Sequence, residues 1–356
     1  MYTITKGVVL IMENDIIVRN YRKNRFLNAV QQSIYDSIYL SINSRRPNCV
    51  IPVDFQSFAD IEVAMTAVKY DHPEIMNVNF NNFNASIDVR GRIINLSYIR
   101  TPEQSKINEV VNYIKEKTSS LKKDYDKALF IHDYLVENVS YDYAVLKKAN
   151  DGEITSEEDL ECFSIYGPLV HHRAVCSGFT LAYNYLLSQI GIDAVTILAN
   201  EDKNVPHCFS AIHLKDEENG WINVDLTIDS KKENIFFDRG KKRIYPFFHF
   251  AFGVSDERMR DLDVSSNEFL GCDNENLSYY YQNNLFFNQF PKLRRYINDM
   301  SGRKKIFIFE YKGNYKAKEM AIMASKLLYE HGINIESNYY FFDRYFCFMG
   351  GTLNEF

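Results

Sequence analysis

Residues 174–199 read AVCSGFTLAYNYLLSQIGIDAVTILA. Val175, Cys176, Ser177 and Gly178 open a helix whose apolar positions, Phe179, Ala182, Leu186 and Ile190, recur at the spacing of one helical face. Gly191 ends it as a cap glycine does. Residues 193–199 are β-branched and apolar, which predicts a strand. Cys176 therefore stands in the first turn of a helix, where unpaired N–H groups and the helix dipole favour a thiolate. Ser177 and Gly178 are small, so a substrate backbone has room to approach.

The next two segments supply partners for that sulfur. Residues 206–214, PHCFSAIHL, alternate as a strand with His207, Phe209, Ala211 and His213 on one face. Residues 221–226, WINVDL, alternate with Trp221, Asn223 and Asp225 on one face. The polar stretch 215–220 joins them as a hairpin. With five loop residues, 215–219, Phe209 falls opposite Asp225, and His207 becomes its diagonal neighbour on the same face. A thiol at a helix start, an imidazole and a carboxylate that orients it form a nucleophile–base–orienter set for acyl transfer.

These segments resemble a known family. Ala174 to Phe179, followed by Leu181-Ala182 and Leu186-Leu187, is similar to the nucleophile helix of the bacterial transglutaminase-like superfamily, of papain-type cysteine protease fold. The His207 strand and the segment from Trp221 to Thr227 resemble its histidine and aspartate motifs. Upstream, residues 124–135, then Val139-Ser140-Tyr141-Asp142 and Tyr166-Gly167-Pro168-Leu169-Val170, resemble the segments that lead into the cysteine. The resemblance covers about residues 101–229. Phe209, Ser210, Ile228 and Ser177, with His171-His172-Arg173, depart from the family pattern and bear on the shape of the substrate pocket. The resemblance implies an α+β fold: a papain/transglutaminase-like core with its nucleophile helix packed on an antiparallel sheet, and Cys176, His207 and Asp225 as the catalytic set. Tyr166 and Ser177 are candidates for the border of the site and for the second oxyanion donor beside the Cys176 N–H.

Outward from this core, three regions are expected: an N-terminal α+β region (1–100), the catalytic core (101–245) and an aromatic-rich C-terminal α/β region (246–356). Leu27, Val30, Ile34 and Ile38 recur at helical spacing, residues 58–70 read as a helix, and 78–89 and 93–99 as strands joined near Arg90-Gly91. Thr101-Pro102-Glu103 reads as a helix start for the buried stripe Ile107, Val110, Val111 and Ile114. A helix over 124–138 turns Ala128, Ile131, Leu135 and Val139 inward. Residues 150–160 read as a polar surface loop. Residues 304–311 predict a strand, 316–329 a helix, and 333–349 further strands.

The whole chain has 356 residues and a formal net charge of −6, which argues against a nucleic-acid binder driven by counterion release. The basic clusters Lys231-Lys232, Lys241-Lys242-Arg243 and Arg303-Lys304-Lys305 read as solvated loops. Six scattered cysteines make neither a dense disulfide framework nor a zinc ribbon. A metal set from Cys162, His171, His172, Cys176, His207 and Cys208 lacks zinc-like spacing, so no metal and no cofactor is expected. His132 and His213 read as core or edge residues. The apolar run 7–12 is too short to cross a membrane and lacks the features of a secretory signal, so the chain as given reads as cytoplasmic or leaderless. The expected activity is that of a cysteine peptidase or amidase acting on a protein or peptide, cell-wall peptides included. A protein-glutamine transglutaminase and a non-catalytic binding module of the same fold are the alternatives. No membrane partner is expected, and no oligomeric state is implied.

Overall fold

The computed structural model describes residues 19–51, 57–88, 91–99, 103–154, 156–201, 205–230, 249–301, 306–333, 339–342 and 344–349. The apolar run 7–12, the turn at Arg90, the capping pair Thr101-Pro102 and the three basic clusters lie outside the described residues. Among the described residues, no helix is long and apolar enough to cross a membrane.

Among the described residues of the N-terminal region, the expected helices and strands are joined by the short helix Tyr21–Phe26 and one further strand. Helices Ala29–Asn43 and Phe58–Asp71 pack on an antiparallel sheet in which Gly91–Tyr98 lies between Asn48–Ile51 and Val78–Asp88. Asn28 starts the first helix: its side chain accepts from the Gln31 N–H at 2.9 Å, and Gln31 reaches back to the Asn28 N–H. Ile34, Ile38, Ile61, Val68 and Ile94 form the local core.

The central layer is a five-stranded antiparallel sheet, in the order Val264–Ser265, Asp193–Glu201, Val205–His213, Trp221–Val224, Phe252–Val254. Helix Cys176–Gln189 covers one face, backed by Gln104–Thr118 and Asp124–Asn138; Phe179, Ala182, Leu186, Ile212 and Val224 meet there. Gly191 follows that helix with φ +82, the left-handed conformation its position predicts. On the other face Val195, Ile197, Phe209 and Ala211 are covered by Phe250, Met259, Tyr280 and Tyr345. The strand Val205–His213 is thus buried on both faces over most of its length.

Hairpin register follows the expected parity. Ser210 pairs with Val224, Ile212 with Ile222 and His213 with Trp221, and the Leu214 N–H donates to the Gly220 carbonyl at 2.9 Å. A Cβ on Gly220 would lie 2.1 Å from the Leu214 oxygen, so glycine is required where the loop 215–219 closes.

Three expectations are corrected. The core sheet runs past residue 245, because Phe252–Val254 and Val264–Ser265 supply its two edges. Residues 150–160 are not simply a surface loop: Tyr143–Asn150 and Glu157–Glu161 are helical, and Asp159 is buried between Lys148 (2.8 Å) and Arg173 (3.0 Å). Ser156 caps the second of these helices by accepting from the Asp159 N–H. The space beside Gly178 is not open to substrate, since a Cβ there would lie 2.3 Å from the Cys162 carbonyl oxygen. Gly178 lets the chain's own backbone pass.

The C-terminal sheet runs in the order Phe286–Phe287, Ile306–Tyr311, Tyr345–Met349, Tyr339–Phe342, with helices Phe290–Met300 and Ala317–Glu330 packed on it. Phe307, Phe309, Phe346, Phe348 and Met320 fill its core. Its other face joins the central sheet: Tyr345 donates to the Phe250 carbonyl at 3.1 Å and receives the Arg258 Nε–H at 2.8 Å.

Candidate active site

Val175 is extended at the N-cap, and Cys176 is the first residue of its helix, half-buried. No side chain caps this helix start, so its N–H dipoles point at the sulfur's surroundings. Strand Val205–His213 presents His207 at the same end of the sheet. The His207 Nε2–H donates to Asp225 Oδ2 at 2.6 Å; a carboxylate only accepts, which fixes the proton on Nε2 and leaves Nδ1 for the sulfur. Both side chains are almost fully buried.

Asp225 lies one residue beyond its strand and is held by more than the histidine. Its Oδ1 accepts from the Thr227 N–H (2.9 Å), the Thr227 hydroxyl (2.6 Å) and the Ile228 N–H (3.3 Å), at the start of helix Leu226–Ser230. Its own N–H donates to the Ala251 carbonyl. The carboxylate therefore has one position, with its second oxygen aimed at His207.

Charge follows from these contacts. The Cys176 thiol lies well below the ordinary thiol range, first through a hydrogen bond from Cys208, then, against the opposing effect of burial, through the hydrogen bond and charge of His207. Burial pulls His207 down, but the Asp225 charge, its hydrogen bond and the Cys176 sulfur outweigh it and hold His207 well above a free imidazole. Both shifts run in the direction of a thiolate–imidazolium pair.

Two further residues, Tyr141 and Cys208, stand at the sulfur without a sequence pattern that marks them. Tyr141 Oη meets the Cys176 backbone N–H. Residues Ser140–Tyr141 pair in parallel with Arg173–Ala174, which carries the tyrosine to the helix start, and the Tyr141 ring stacks on Phe179. Tyr141 stood in a segment already resembling the family, but a two-residue strand has no periodicity to reveal its partner. Cys208 follows His207 in the strand and brings its thiol to the Cys176 sulfur.

The site opens into a cleft of about 810 Å³, with Cys176, Ser177, His207 and Cys208 at its base. Lys69 and Tyr70, from the N-terminal region, form part of the wall. Ser177 is buried, and its hydroxyl finds no hydrogen-bond partner among the described residues. Tyr166, a candidate for the border of the site, instead lies in the central core, edge-on to His171, and does not line the cleft. His171 itself ends a short π-helical turn and pairs with Glu161, while Cys162 receives the Arg173 Nε–H. Two of the residues in the discarded metal set are thus engaged elsewhere.

A second buried cluster supports the site from below. His132 Nε2 donates to Asp229 Oδ2 (3.1 Å) and Nδ1 to Asp133 Oδ1 (2.9 Å), while His249 Nε2 donates to the same Asp133 oxygen (2.8 Å). Asp229 Oδ1 accepts from the Phe250 and Ala251 N–H groups. The cluster clips helix Leu226–Ser230 to residues 249–251, whose Ala251 carbonyl holds the Asp225 backbone. Among the described residues, His132, Asp133 and His249 are the one group with ligand atoms close enough to share a metal ion. The hydrogen bonds to Asp133 and Asp229 already account for the arrangement.

With both ring nitrogens donating to carboxylates, His132 is held charged, its pKa raised to about 9 although burial pulls it down. The folded state therefore binds this proton more tightly than the unfolded chain. Its contribution to stability is complete below the free value of 6.5 and is lost as pH climbs through about 9. Urea midpoints should fall over that window, and His132→Gln should flatten the fall. An unchanged slope in the variant would assign the pH dependence elsewhere.

Residues 111–226 match the family model of the transglutaminase-like superfamily. No curated protein matches the chain. Among solved structures it is similar to a TGase at 13% identity, over 56% of this chain and 53% of that one, with a TM-score of 0.31. It is also similar to a candidate cysteine protease from Cytophaga hutchinsonii (14% identity, 41% and 61% of the two chains, TM-score 0.26) and to a candidate protease from Parabacteroides distasonis (9%, 41% and 39%, TM-score 0.23). The matched part spans less than two thirds of each of those chains. The matched stretch, residues 111–226, contains Cys176, His207 and Asp225 and is similar to the transglutaminase-like superfamily, and the fold around it is α+β.

Proposed function

We propose that the chain is a thiol-dependent acyl-transfer enzyme acting on amide bonds, a cysteine peptidase or amidase. One observation carries this reading: a cysteine at an uncapped helix start faces an imidazole whose far nitrogen is tied to a buried carboxylate at 2.6 Å.

The Cys176 thiolate attacks an amide carbonyl bound in the cleft. The oxyanion that forms takes hydrogen bonds from the Cys176 N–H and from the Tyr141 hydroxyl, which lie side by side at the sulfur. The contact between those two groups gives way as the oxyanion enters. His207 donates its Nδ1 proton to the leaving amine, and a thioester remains on Cys176. His207, now neutral at Nδ1, takes a proton from water. The hydroxide attacks the thioester, and the acid leaves. Asp225 keeps the proton on Nε2 throughout and supports the imidazolium.

Replacing Tyr141 with Phe removes the second oxyanion donor but keeps the ring on Phe179. We expect kcat to fall by about 10- to 1,000-fold with little change in KM. A fall confined to KM would make Tyr141 a binding residue.

The experiment that tests the function offers a casein-like protein together with a dansylated amine. Release of peptides or ammonia without amine incorporation supports the peptidase or amidase. Incorporation of dansyl label, abolished in Cys176→Ala, moves the assignment to a transglutaminase. Absence of both, with Cys176 inert to iodoacetamide at neutral pH, leaves a binding module.

A further inference from the structure

Cys176 does not face its histidine alone. Cys208, the next residue in the strand after His207, brings a second thiol within hydrogen-bonding reach of the Cys176 sulfur. Both line the base of the same cleft, and both are free thiols. The frame between them is tight: the Thr180 hydroxyl donates to the Cys176 carbonyl (2.9 Å) and meets the Cys208 carbonyl (3.1 Å), tying the first helical turn to the strand. The Cys208 thiol has weak partners only, Thr180 Oγ1 at 3.7 Å and the Tyr70 hydroxyl at 3.9 Å. Two cysteines that line one cleft on adjoining elements, with one threonine hydroxyl reaching both their carbonyls, are neighbours close enough for a disulfide to be tested.

The two thiols also differ in chemistry. Cys208 is buried, and the neighbouring Cys176 sulfur together with burial keeps it protonated. Cys176 is the half-exposed, ionised member. An oxidant entering the cleft meets Cys176 first, and Cys208 is positioned as the resolving thiol.

We propose that Cys176 and Cys208 are a modification site: a peroxide converts them to a disulfide that reversibly locks the nucleophile. In the first step the Cys176 thiolate attacks a peroxide oxygen, giving a sulfenic acid and hydroxide, and the sulfur loses two electrons. In the second step the Cys208 sulfur displaces the sulfenic hydroxyl, which leaves with the Cys208 proton as water, and the S–S bond forms. The balance is two thiols and one hydrogen peroxide to one disulfide and two waters. A low-molecular-weight dithiol restores both thiols by exchange and is itself oxidised. The disulfide stops oxidation short of the irreversible sulfinic acid. This inference rests on the reading of Cys176 as an ionised nucleophile.

The test uses the full chain, hydrogen peroxide and dithiothreitol. Iodoacetamide labelling of Cys176 is measured before oxidation, after it and after reduction, and the oxidised chain is digested and mapped by mass. We expect labelling to drop by at least about tenfold and to return with dithiothreitol, the mass to fall by about 2 Da, and one linked peptide to join residues 176 and 208. In Cys208→Ala and Cys208→Ser, peroxide should carry Cys176 to the sulfinic acid, about 32 Da heavier, with no recovery. A wild-type chain that labels before oxidation but yields no 176–208 peptide would overturn the lock and leave the proposed function standing. Recovery in the Cys208 variants equal to wild type would overturn it too. A Cys176 that never labels at neutral pH would defeat both.

Discussion

Cys176→Ala should abolish turnover, by a factor on the order of 10⁴ or more, while changing stability by no more than about 1–2 kcal/mol. The asymmetry follows from where the residue sits. In the proposed mechanism every covalent step passes through the sulfur, so no other group replaces it. For the fold, Cys176 is a half-buried residue at a helix start, and its removal deletes one sulfur that lines a cleft. The packing that holds the helix begins at Phe179 and continues through Ala182 and Leu186, all fully buried. Turnover and urea midpoint measured on the same preparation check the prediction. A variant that fails to fold would make Cys176 a structural residue.

Asp225 carries the second large effect, and here activity and stability fall together. Its Oδ2 orients His207, and its Oδ1 holds the start of helix Leu226–Ser230. Asp225→Ala removes both and leaves a buried imidazolium without its partner. We expect a loss of about 3–5 kcal/mol in stability and of about 10²–10⁴-fold in turnover, with thiol labelling slowed but detectable. Asp225→Asn separates the roles. The amide oxygen still accepts from Thr227, so the helix start survives, while the amide N–H₂ facing His207 favours the wrong tautomer. The Asn variant should keep most of the stability and lose most of the rate. Unchanged turnover in either would remove Asp225 from the mechanism.

The parts of this site that are legible in the amino-acid sequence are those governed by periodicity and loop parity. A five-residue loop at 215–219 dictates which strand residues face each other, so the meeting of His207 and Asp225 follows from counting. The helix at Cys176 follows from its apolar spacing and from Gly191. Tyr141 and Cys208 escape because their partners are set by packing at the ends of elements: a two-residue parallel pairing for one, the seating of a helix turn on a strand for the other. The same limit explains the edge of the core sheet. Strand Phe252–Val254 pairs with Trp221–Val224 across a connection of more than twenty residues, and three apolar residues announce no such partner. Residues 150–160 mislead in another way. Their charges suggest solvent, yet Asp159 is buried because Lys148 and Arg173 neutralise it. Gly178 shows how a small residue near a nucleophile invites a substrate reading when the neighbour it admits is the Cys162 backbone.

In the proposed mechanism Cys176 is ionised at neutral pH by its helix start, Cys208 and His207. The rate of alkylation of Cys176 by iodoacetamide, followed from about pH 4 to 10 with the labelled peptide identified, tests it directly. We expect a rate already on its plateau at pH 7, with the acid limb well below the ordinary thiol range near 8.5. A single rise through that ordinary range, unaffected by Asp225→Asn, would contradict it.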